Sequence, residues 1–445
     1  MVNSMNPVRN SSRLFVCAAA AVIAAATASA WELGEPVVGY WGGPGWPGHP
    51  EKLTDRAAER LREGGFNLAW TSSTEELDVA ERHGLRAIYD FALARADVDD
   101  PETAARLASR IASVKNHPAL LIYYCFDEPP AGKFASLAHA KEWLMRQDPA
   151  HAVWVNLLPL YANHRQLGVG GKDGEEKRMG FRFDTLASYW EHVRLFGEIF
   201  RPDFLTYDHY QFNVGGDTPN YLLNLAIIRQ SAAAMGIPFF NGVQACTWTP
   251  GSLASPSSPR IPGPAEMRYL VYTTLAYGAQ GIYYYVYSRP GHEGAIMGLD
   301  GTPGPNYEPL KRLNAEFKAI AAQLRPFRFA GAYVSGVHSP GTTPWCEQAV
   351  LRIHPETPPS ELQPGRICED TTLVTRFVKD GVLDRFMVVN LDYRKDRSLT
   401  IEAPAALERF NPETGAWSVL QHGRLDLPGG GGGLLRLAEI GKMQK

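Results

Sequence analysis

The sequence has little cysteine, and it lacks the short motifs that commonly hold a metal ion. Only 5 of its 445 residues are Cys, and no CxxC or HExxH pattern occurs, so we expect neither a metal site nor a cofactor. Clusters of Lys and Arg are also missing. The 44 basic and 47 acidic residues give a formal net charge of −3, which excludes the basic surface of a nucleic-acid-binding protein.

Long apolar runs are absent as well, apart from a short Ala-rich one at residues 14–28. Two arginines precede this run and small residues follow it, as in a signal peptide. A membrane anchor would need about 20 strongly apolar residues. We therefore interpret residues 1–30 as a signal peptide and expect a secreted or periplasmic protein without a membrane span. After export, Cys346 and Cys368 could form a disulfide.

Between residues 36 and 326, eight short apolar segments alternate with amphipathic helix patterns. The segments are Pro36–Trp41, Phe66–Trp70, Leu85–Phe91, Ala119–Phe126, Ala152–Leu158, Phe204–Tyr210, Pro238–Val243 and Gly281–Tyr287. Parallel strands need crossover helices, and eight such units close a ring. The pattern predicts an α/β fold, a (β/α)8 TIM barrel over residues 31–326.

Two helices of this barrel carry a proline as their expected first residue, after Asp100 and after Thr218. The loops that follow strands five, seven and eight are long, at roughly residues 159–182, 245–263 and 288–307. The turns from helix to strand are short by comparison. Since barrel active sites lie at the carboxyl ends of the strands, polar residues at those ends are the first candidates for a site.

The helical period disappears after Arg328, and short strand patterns take its place. They are Thr372–Val378, Arg385–Leu391, Ser398–Ile401 and a hairpin within Leu425–Leu437, with the run Gly429–Gly433 as its turn. We expect residues 327–445 to form a small C-terminal β-sandwich domain.

Strand four ends in an adjacent acid pair, Asp127 and Glu128. Two carboxylates at a barrel mouth repel each other, so one of them keeps its proton to a higher pH. A protonated acid beside an ionised one is what cleavage of a glycosidic bond requires. The alternative is a helix N-cap acid with a surface ion pair. Asp208 at the end of strand six and Asp90 at the end of strand three add carboxylates at the same face.

Other polar and aromatic residues gather at the same strand ends. Aromatic planes stack on sugar rings, while acids and amides bind hydroxyl groups, so the mixture suits a carbohydrate. Any single aromatic is at least as readily explained by core packing, and His209 is given a supporting role. The predicted substrate-binding residues are Trp41, Trp70, Asp90, Asn156, Tyr207, His209, Tyr210, Asn241, Gln244, Trp248, Tyr285 and Tyr287.

The ending Phe126-Asp127-Glu128-Pro129 on an exported barrel with a trailing β-domain resembles clan A glycoside hydrolases. In that clan an Asn-Glu-Pro-like ending on strand four supplies the acid/base, which implies this role for Glu128. The clan's nucleophile is a Glu that ends strand seven. Here strand seven offers Asn241 and Gln244 instead, so the resemblance does not imply the clan's double displacement.

The adjacent acids are also similar to those of hexosaminidase families 20 and 123. There the Glu is the acid, and the Asp orients the acetamido group of the substrate, which attacks the anomeric carbon. Chitinase-like barrels likewise place a Tyr-Asp at the end of strand six, similar to Tyr207-Asp208. These resemblances imply either that Asp208 is a nucleophile or base, or that Asp127 assists an acetamido group with Tyr207 and Asp208 as supports.

The sequence thus predicts a secreted glycoside hydrolase that acts on an oligo- or polysaccharide, with Glu128, Asp208 and Asp127 as its catalytic residues. The main alternative is a carbohydrate-binding barrel without catalysis, in which Gln244 replaces a former nucleophile. A structural surface protein is a third interpretation. Removal of residues 1–30, with two Arg and no acid, takes the formal charge from −3 to −5. That charge argues against strongly anionic glycans, unless a basic loop such as 172–178 overrides it.

Overall fold

The computed structural model describes residues 31–170, 184–249, 251, 254–336, 339–344, 351–355 and 371–438. The predicted signal peptide, the basic loop at 172–178, Cys346 and Cys368 lie outside the described residues, so the signal and the disulfide stay predictions. Cys125 and Cys246 are free and buried. Within the described part, no helix is long and apolar enough to cross a membrane.

Eight strands of four to eight residues alternate with eight helices of nine to 18 residues in the described part of residues 31–324. The strands are β1 (Val37–Trp41), β2 (Leu68–Thr71), β3 (Arg86–Asp90), β4 (Leu120–Asp127), β5 (Ala152–Asn156), β6 (Leu205–His209), β7 (Phe239–Gln244) and β8 (Gly281–Tyr285). The helices are α1 (Asp55–Glu63), α2 (Thr74–Arg82), α3 (Pro101–Val114), α4 (Phe134–Gln147), α5 (Asp184–Phe200), α6 (Tyr221–Met235), α7 (Pro264–Ala276) and α8 (Tyr307–Leu324). Each of the eight strands predicted for residues 36–326 is present within two residues of its expected bounds.

The strands form two parallel four-stranded sheets, in the orders β1-β8-β7-β6 and β2-β3-β4-β5. Backbone hydrogen bonds join the sheets at both seams. The Leu157 N–H donates to the Thr206 carbonyl at 2.9 Å, and the Asn67 N–H donates to the Val38 carbonyl at 3.1 Å. The ladders do not continue across these seams as one closed sheet. The parallel strands with their crossover helices fit a TIM barrel.

Large aromatic side chains fill the space between the strands. The ring centroid of Trp41 lies 5.4 Å from that of Trp70 and 5.7 Å from that of Tyr124, and Trp154 lies 5.3 Å from Tyr283. Such rings bury much apolar area in edge-to-face contacts. The barrel interior is therefore a packed core, with any site confined to its ends.

Two helices were predicted to begin with a proline, and the prediction is correct for only one of them. Asp100 caps α3 by accepting the Thr103 N–H at 2.8 Å, with proline in the first turn, as predicted. The expectation for Thr218 is wrong, because α6 begins later, at Tyr221. The hydroxyl of Thr218 instead bonds the side chains of His209 and Gln211, so it is not free to cap the helix.

Ten strands lie in the described residues of the C-terminal part. They are β9 (Arg328–Ser335), β10 (Thr343–Pro344), β11 (Arg352–Pro355), β12 (Thr372–Lys379), β13 (Val382–Asn390), β14 (Arg397–Glu402), β15 (Leu407–Phe410), β16 (Trp417–Val419), β17 (Arg424–Leu427) and β18 (Gly432–Leu437). A seven-stranded sheet has the order β10-β9-β12-β13-β18-β15-β16, and a three-stranded sheet has the order β11-β14-β17. Leucine, valine, isoleucine and phenylalanine from both sheets share one buried cluster, as in a sandwich.

The predicted hairpin around the glycine run is wrong. Strand β17 pairs with β14, whereas β18 pairs with β13, so the glycines cross from one sheet to the other. Gly430 has a φ of +70°, and a Cβ atom there would lie 2.4 Å from the Ala265 carbonyl oxygen in α7. The absence of side chains therefore serves a close passage against a helix.

Candidate active site

Strand β4 ends in an irregular backbone segment, and this segment carries the acid pair Asp127 and Glu128. Tyr124 pairs with Trp154 and Phe126 pairs with Val155, which leaves Cys125 as the extra residue of a β-bulge. Bulges next to active sites commonly redirect the side chains that follow. Two residues after Phe126, Glu128 adopts a φ of 49°, a strained value for a residue with a side chain.

The carboxyl group of Asp127 is oriented by Asn156 at the end of β5. The Asn156 Nδ2 donates to Asp127 Oδ1 at 3.1 Å. The Asn156 Oδ1 accepts from the hydroxyls of Tyr283 at 2.6 Å and Thr206 at 3.2 Å. Because the oxygen of the amide is occupied by these donors, its N–H group is the side that faces Asp127.

Asp127 lies at the open mouth, where water reaches it, although protein surrounds it on the other sides. This partial burial raises the pKa of Asp127 to about 6, against the hydrogen bond from Asn156 and the positive charge of Arg289. Burial and the nearby Asp127 charge raise the pKa of Glu128 to about 7. Glu128 is thus the better proton carrier of the two near neutral pH.

Asp208 is the third carboxyl group of the cluster, and only 6% of the residue is exposed. Its Oδ2 accepts the Tyr210 hydroxyl at 2.5 Å, and its buried Oδ1 has no hydrogen-bond partner among the described residues. Burial, together with the charges of Glu128 and Asp127, raises the pKa of Asp208 well above its ordinary value. Asp208 therefore holds a proton more readily than it supplies an accessible anion.

Aromatic side chains line one wall of the mouth. The ring of Tyr210 lies 4.8 Å from Trp248 and 5.2 Å from Tyr285, between centroids. The Tyr285 hydroxyl is 3.0 Å from the Nε2 of His292. Tyr210, Trp248 and Tyr285 are all half-buried, so they keep exposed ring surface that can contact a ligand.

Two residues at the mouth, Tyr161 and Arg289, were not among the site residues predicted from the sequence. The Tyr161 hydroxyl accepts the Tyr210 N–H at 3.3 Å, and burial with the charges of Asp208 and Glu128 raises the pKa of Tyr161. Arg289 is the cation whose charge favours ionised Asp127. Both lie in long strand-to-helix loops, and that length was the available signal.

Four predicted substrate-binding residues lie behind the strands. Tyr207 and Asn241 are fully buried, as is His209, which bonds Asn224 of α6 at 2.9 Å. Tyr287 is 1% exposed. Since side chains alternate along a strand, the inward Asp208 sends its two neighbours towards the helices. These four residues therefore belong to the packing layer between strands and helices and not, as predicted, to the mouth.

Trp70 and Trp41 also lack the surface that their predicted role requires. Trp70 is completely buried, and its indole N–H donates to the Tyr40 carbonyl at 2.6 Å. Trp41 is 4% exposed within the same aromatic core. Asp90, by contrast, is half-buried at the end of β3, and burial raises its pKa against the charges of Arg110 and Arg95.

Gln244 ends β7, at the position where the clan A resemblance would place a nucleophile. It is fully buried. Its Oε1 accepts the Phe212 N–H at 2.8 Å, and its Nε2 donates to the carbonyls of Phe212 at 2.9 Å and Arg260 at 2.6 Å. The amide therefore fastens two loop segments, and no part of it faces the mouth.

A group with the side chains of a metal site lies elsewhere. Asp78, Glu81 and His117 have ligand atoms within 4.8 Å of one another, but they lie near the amino end of the strands, opposite the mouth. Among the described residues, this is the group of three potential metal ligands that lie so close together. Exposed acids are common without an ion, so we assign it no role.

Comparisons with known proteins support the fold. The chain is similar to a glycoside hydrolase family 5 protein from Bacteroides vulgatus, with 12% identity and a TM-score of 0.52 over 91% of this chain and 90% of that one. A family 128 endo-β-1,3-glucanase from Sorangium cellulosum gives 13% identity and a TM-score of 0.38 over 62% and 97%. An α-L-fucosidase-like protein from Bacteroides thetaiotaomicron gives 9% identity and a TM-score of 0.42, over 64% of this chain and 96% of that one.

At these identities the first likeness shows a shared fold alone, and the other two carry no argument. No protein-family model matches the chain, and no curated protein matches it. The chain thus has an α/β fold that it shares with that family 5 protein, together with a β-rich C-terminal part. The similarity to hexosaminidase families 20 and 123 rests on the acid pair and stays a prediction.

Proposed function

We propose that the protein is a glycoside hydrolase with Glu128 as its general acid. The observation that carries this proposal is the pKa of about 7 at Glu128, beside an oriented Asp127 with a pKa of about 6. Near neutral pH the pair therefore offers one proton donor and one anion at the same mouth. That division of roles is the one that glycosidic cleavage uses.

In the proposed reaction the bond between the anomeric carbon and the leaving oxygen breaks. The electron pair stays on the oxygen, which takes the proton of Glu128. Ionised Asp127 stabilises the positive charge that develops on the sugar, either directly or by orienting an acetamido group of the substrate. Water then adds to the anomeric carbon, and its proton returns to Glu128.

Asp208 has a supporting role in this proposal. Its Oδ2 accepts the Tyr210 hydroxyl, and burial raises its pKa well above the ordinary value, which disfavours an accessible anion at this position. This arrangement favours the option with Asp127 as the active anion over the option with Asp208 as nucleophile.

Substitution of Glu128 by glutamine tests the assignment. A panel of aryl glycosides with good and poor leaving groups is compared on the wild type and on Glu128→Gln. We expect a loss of roughly 10²–10⁴-fold for poor leaving groups, and a smaller loss for activated ones that need no proton. Glu142→Gln, an exposed change on α4, is the matched control. Near wild-type turnover of poor leaving groups by Glu128→Gln would remove Glu128 as the acid.

The second candidate function is carbohydrate binding without catalysis. Gln244 favours it, because the end of β7 carries no carboxylate and the amide is fully engaged by loop backbone. Glycan affinity without any product after prolonged incubation would support this function. Product formation that depends on Glu128 would exclude it.

A further inference from the structure

Arg289 is a cation at the mouth that forms no ion pair with any carboxylate of the described residues. Its hydrogen bond among the described residues runs from Nη1 to the Tyr285 hydroxyl at 3.2 Å, and no described carboxylate lies within the 4.0 Å of an ion pair. A guanidinium has five N–H donors, so most of those of Arg289 remain for a ligand.

The guanidinium is held in place by aromatic side chains. Its central carbon lies 5.0 Å from the ring centroid of Trp46, and Tyr285 is in turn fixed by its contact with His292. An arginine that is stacked in this way loses little freedom when it binds, and its planar fork matches the oxygens of a carboxylate or sulfate. Arg289 is half-buried rather than free in solvent.

Arg289 lies on the aromatic wall of the site, because it donates to Tyr285, whose ring centroid is 5.2 Å from that of Tyr210, and the Tyr210 hydroxyl in turn donates to Asp208. Its positive charge lowers the pKa of Asp127, whereas burial raises the pKa of Glu128 to about 7 and that of Asp208 well above its ordinary value. Burial therefore reduces the negative charge that the three carboxyl groups present near Arg289. A second anion next to Arg289 would meet a favourable field.

We propose that Arg289 binds an acidic substituent of the substrate, a carboxylate or a sulfate, so that the glycan is an acidic one. The proposal rests on the proposed function, since it names the substrate class of the same site. Trp46 and Tyr285 would flank the acidic sugar. The local cation outweighs the expectation from net charge, which averages over the whole surface.

Ligand-observed NMR binding to Glu128→Gln protein tests the proposal without requiring turnover. The probes are methyl glucuronide for the carboxylate, methyl glucoside 6-sulfate for the sulfate, and methyl glucoside as the neutral match. At low salt we expect one acidic probe to bind at least about tenfold more tightly than the neutral one. The preferred acidic probe identifies the source of the charge.

In the Glu128→Gln background, Arg289→Met should abolish the preference, and Arg289→Lys should retain part of it. Arg62→Met, which removes an exposed arginine of α1, should leave the preference intact. Equal binding of the three probes, or no binding of any, overturns the proposal, as does a preference that survives Arg289→Met. If the wild type hydrolyses only neutral glycosides, the proposed function stands and the acidic substrate is rejected. If an acidic probe binds but the wild type hydrolyses no glycoside, the acidic ligand stands and the proposed function is rejected.

Discussion

At the scale of single residues, the chemistry of the site depends on how Asn156 presents its amide. Two hydroxyls occupy its oxygen, and its nitrogen donates to Asp127. A hydrogen bond to the charged form lowers the pKa of a carboxyl group. Asn156 thereby keeps Asp127 ionised at pH values where Glu128 is still protonated, and the two adjacent acids take different roles.

Asn156→Ala should narrow the pH range of activity from the acid side. Without the amide, the pKa of Asp127 rises, so a lower fraction of the protein carries the anion below the present pKa of about 6. We expect the acid limb of the kcat/KM profile to move to higher pH, with a loss of roughly three- to tenfold on that limb. The measurement is the pH dependence of kcat/KM.

Thr206→Val is the control for that variant, because it removes one donor to the Asn156 oxygen but leaves the bond to Asp127. Its acid limb should stay near the wild-type position. If both variants shift the limb equally, Asn156 acts through packing rather than through Asp127.

The direction of individual side chains was the part of the site that the sequence could not supply. In β6, Thr206 and Asp208 point inwards, while Tyr207 and His209 point to the helices. Strands of a parallel sheet are buried on both faces and do not show an apolar-polar alternation. The strand ends could therefore be predicted, and so could the acids, but not which neighbour faces the mouth.

At the scale of elements, Gln244 ties the end of β7 to two loops. The loops are the 212–217 hairpin, formed by Phe212–Asn213 and Gly216–Asp217, and the segment at Arg260. The hairpin follows directly after Asp208 and Tyr210. The position of the buried carboxyl group thus depends on an amide in the neighbouring strand.

Gln244→Glu should destabilise the protein and should not create a nucleophile. A carboxylate can accept the Phe212 N–H, but it cannot donate to the carbonyls of Phe212 and Arg260. We expect the free energy of unfolding to fall by at least about 2 kcal/mol, measured by urea denaturation. Gln166→Glu, at an exposed position of the short helix His164–Leu167, is the control and should change the free energy of unfolding little. A gain in activity from Gln244→Glu would show that this strand end is a vacated catalytic position.

Most of the strands and helices of the barrel could be predicted from the sequence. Alternation of apolar strands and amphipathic helices was enough for all eight units, because each strand is short and each loop carries turn residues. The start of α6 was misplaced because the Thr218 hydroxyl bonds other side chains. The glycine run was misread because the same residues serve a tight turn and a close passage against a helix.

At the scale of the whole molecule, the C-terminal part contacts the hairpin that follows Asp208 and Tyr210 in the chain. The Tyr393 hydroxyl donates to Asp217 Oδ2 of the 212–217 hairpin at 2.9 Å. The ring of Tyr393 lies 5.6 Å from Phe212 and 5.9 Å from Tyr269 of α7, between centroids. The β-rich part therefore steadies the hairpin that follows Asp208.

Tyr393→Phe should lower activity as well as stability. The change removes one hydrogen bond to a carboxylate, at a cost of about 1–2 kcal/mol, and it loosens the hairpin next to the site. We expect kcat to fall two- to tenfold, on the order of the effect of small misplacements, with KM less affected. Steady-state kinetics and urea denaturation measure both quantities.

Tyr272→Phe provides the matched control. It also removes a tyrosine hydroxyl from a carboxylate, that of Glu316 at 2.8 Å, but between α7 and α8, away from the hairpin. It should cost similar stability and leave kcat unchanged. Equal losses of kcat in the two variants would mean that the Tyr393 contact is only structural.

The most direct test of the account is a carboxyl titration by difference infrared spectroscopy. Wild type and Glu128→Gln are compared from about pH 5 to about pH 9, a range above the ordinary titration of glutamate. We expect the wild type to show a protonated carboxyl band with a midpoint at about 7 that Glu128→Gln lacks, while the band of Asp127, with a midpoint at about 6, remains in both proteins. The assignment of Glu128 as the proton donor would be contradicted if Glu128 were already ionised throughout this range, with a midpoint near its ordinary value of 4.5.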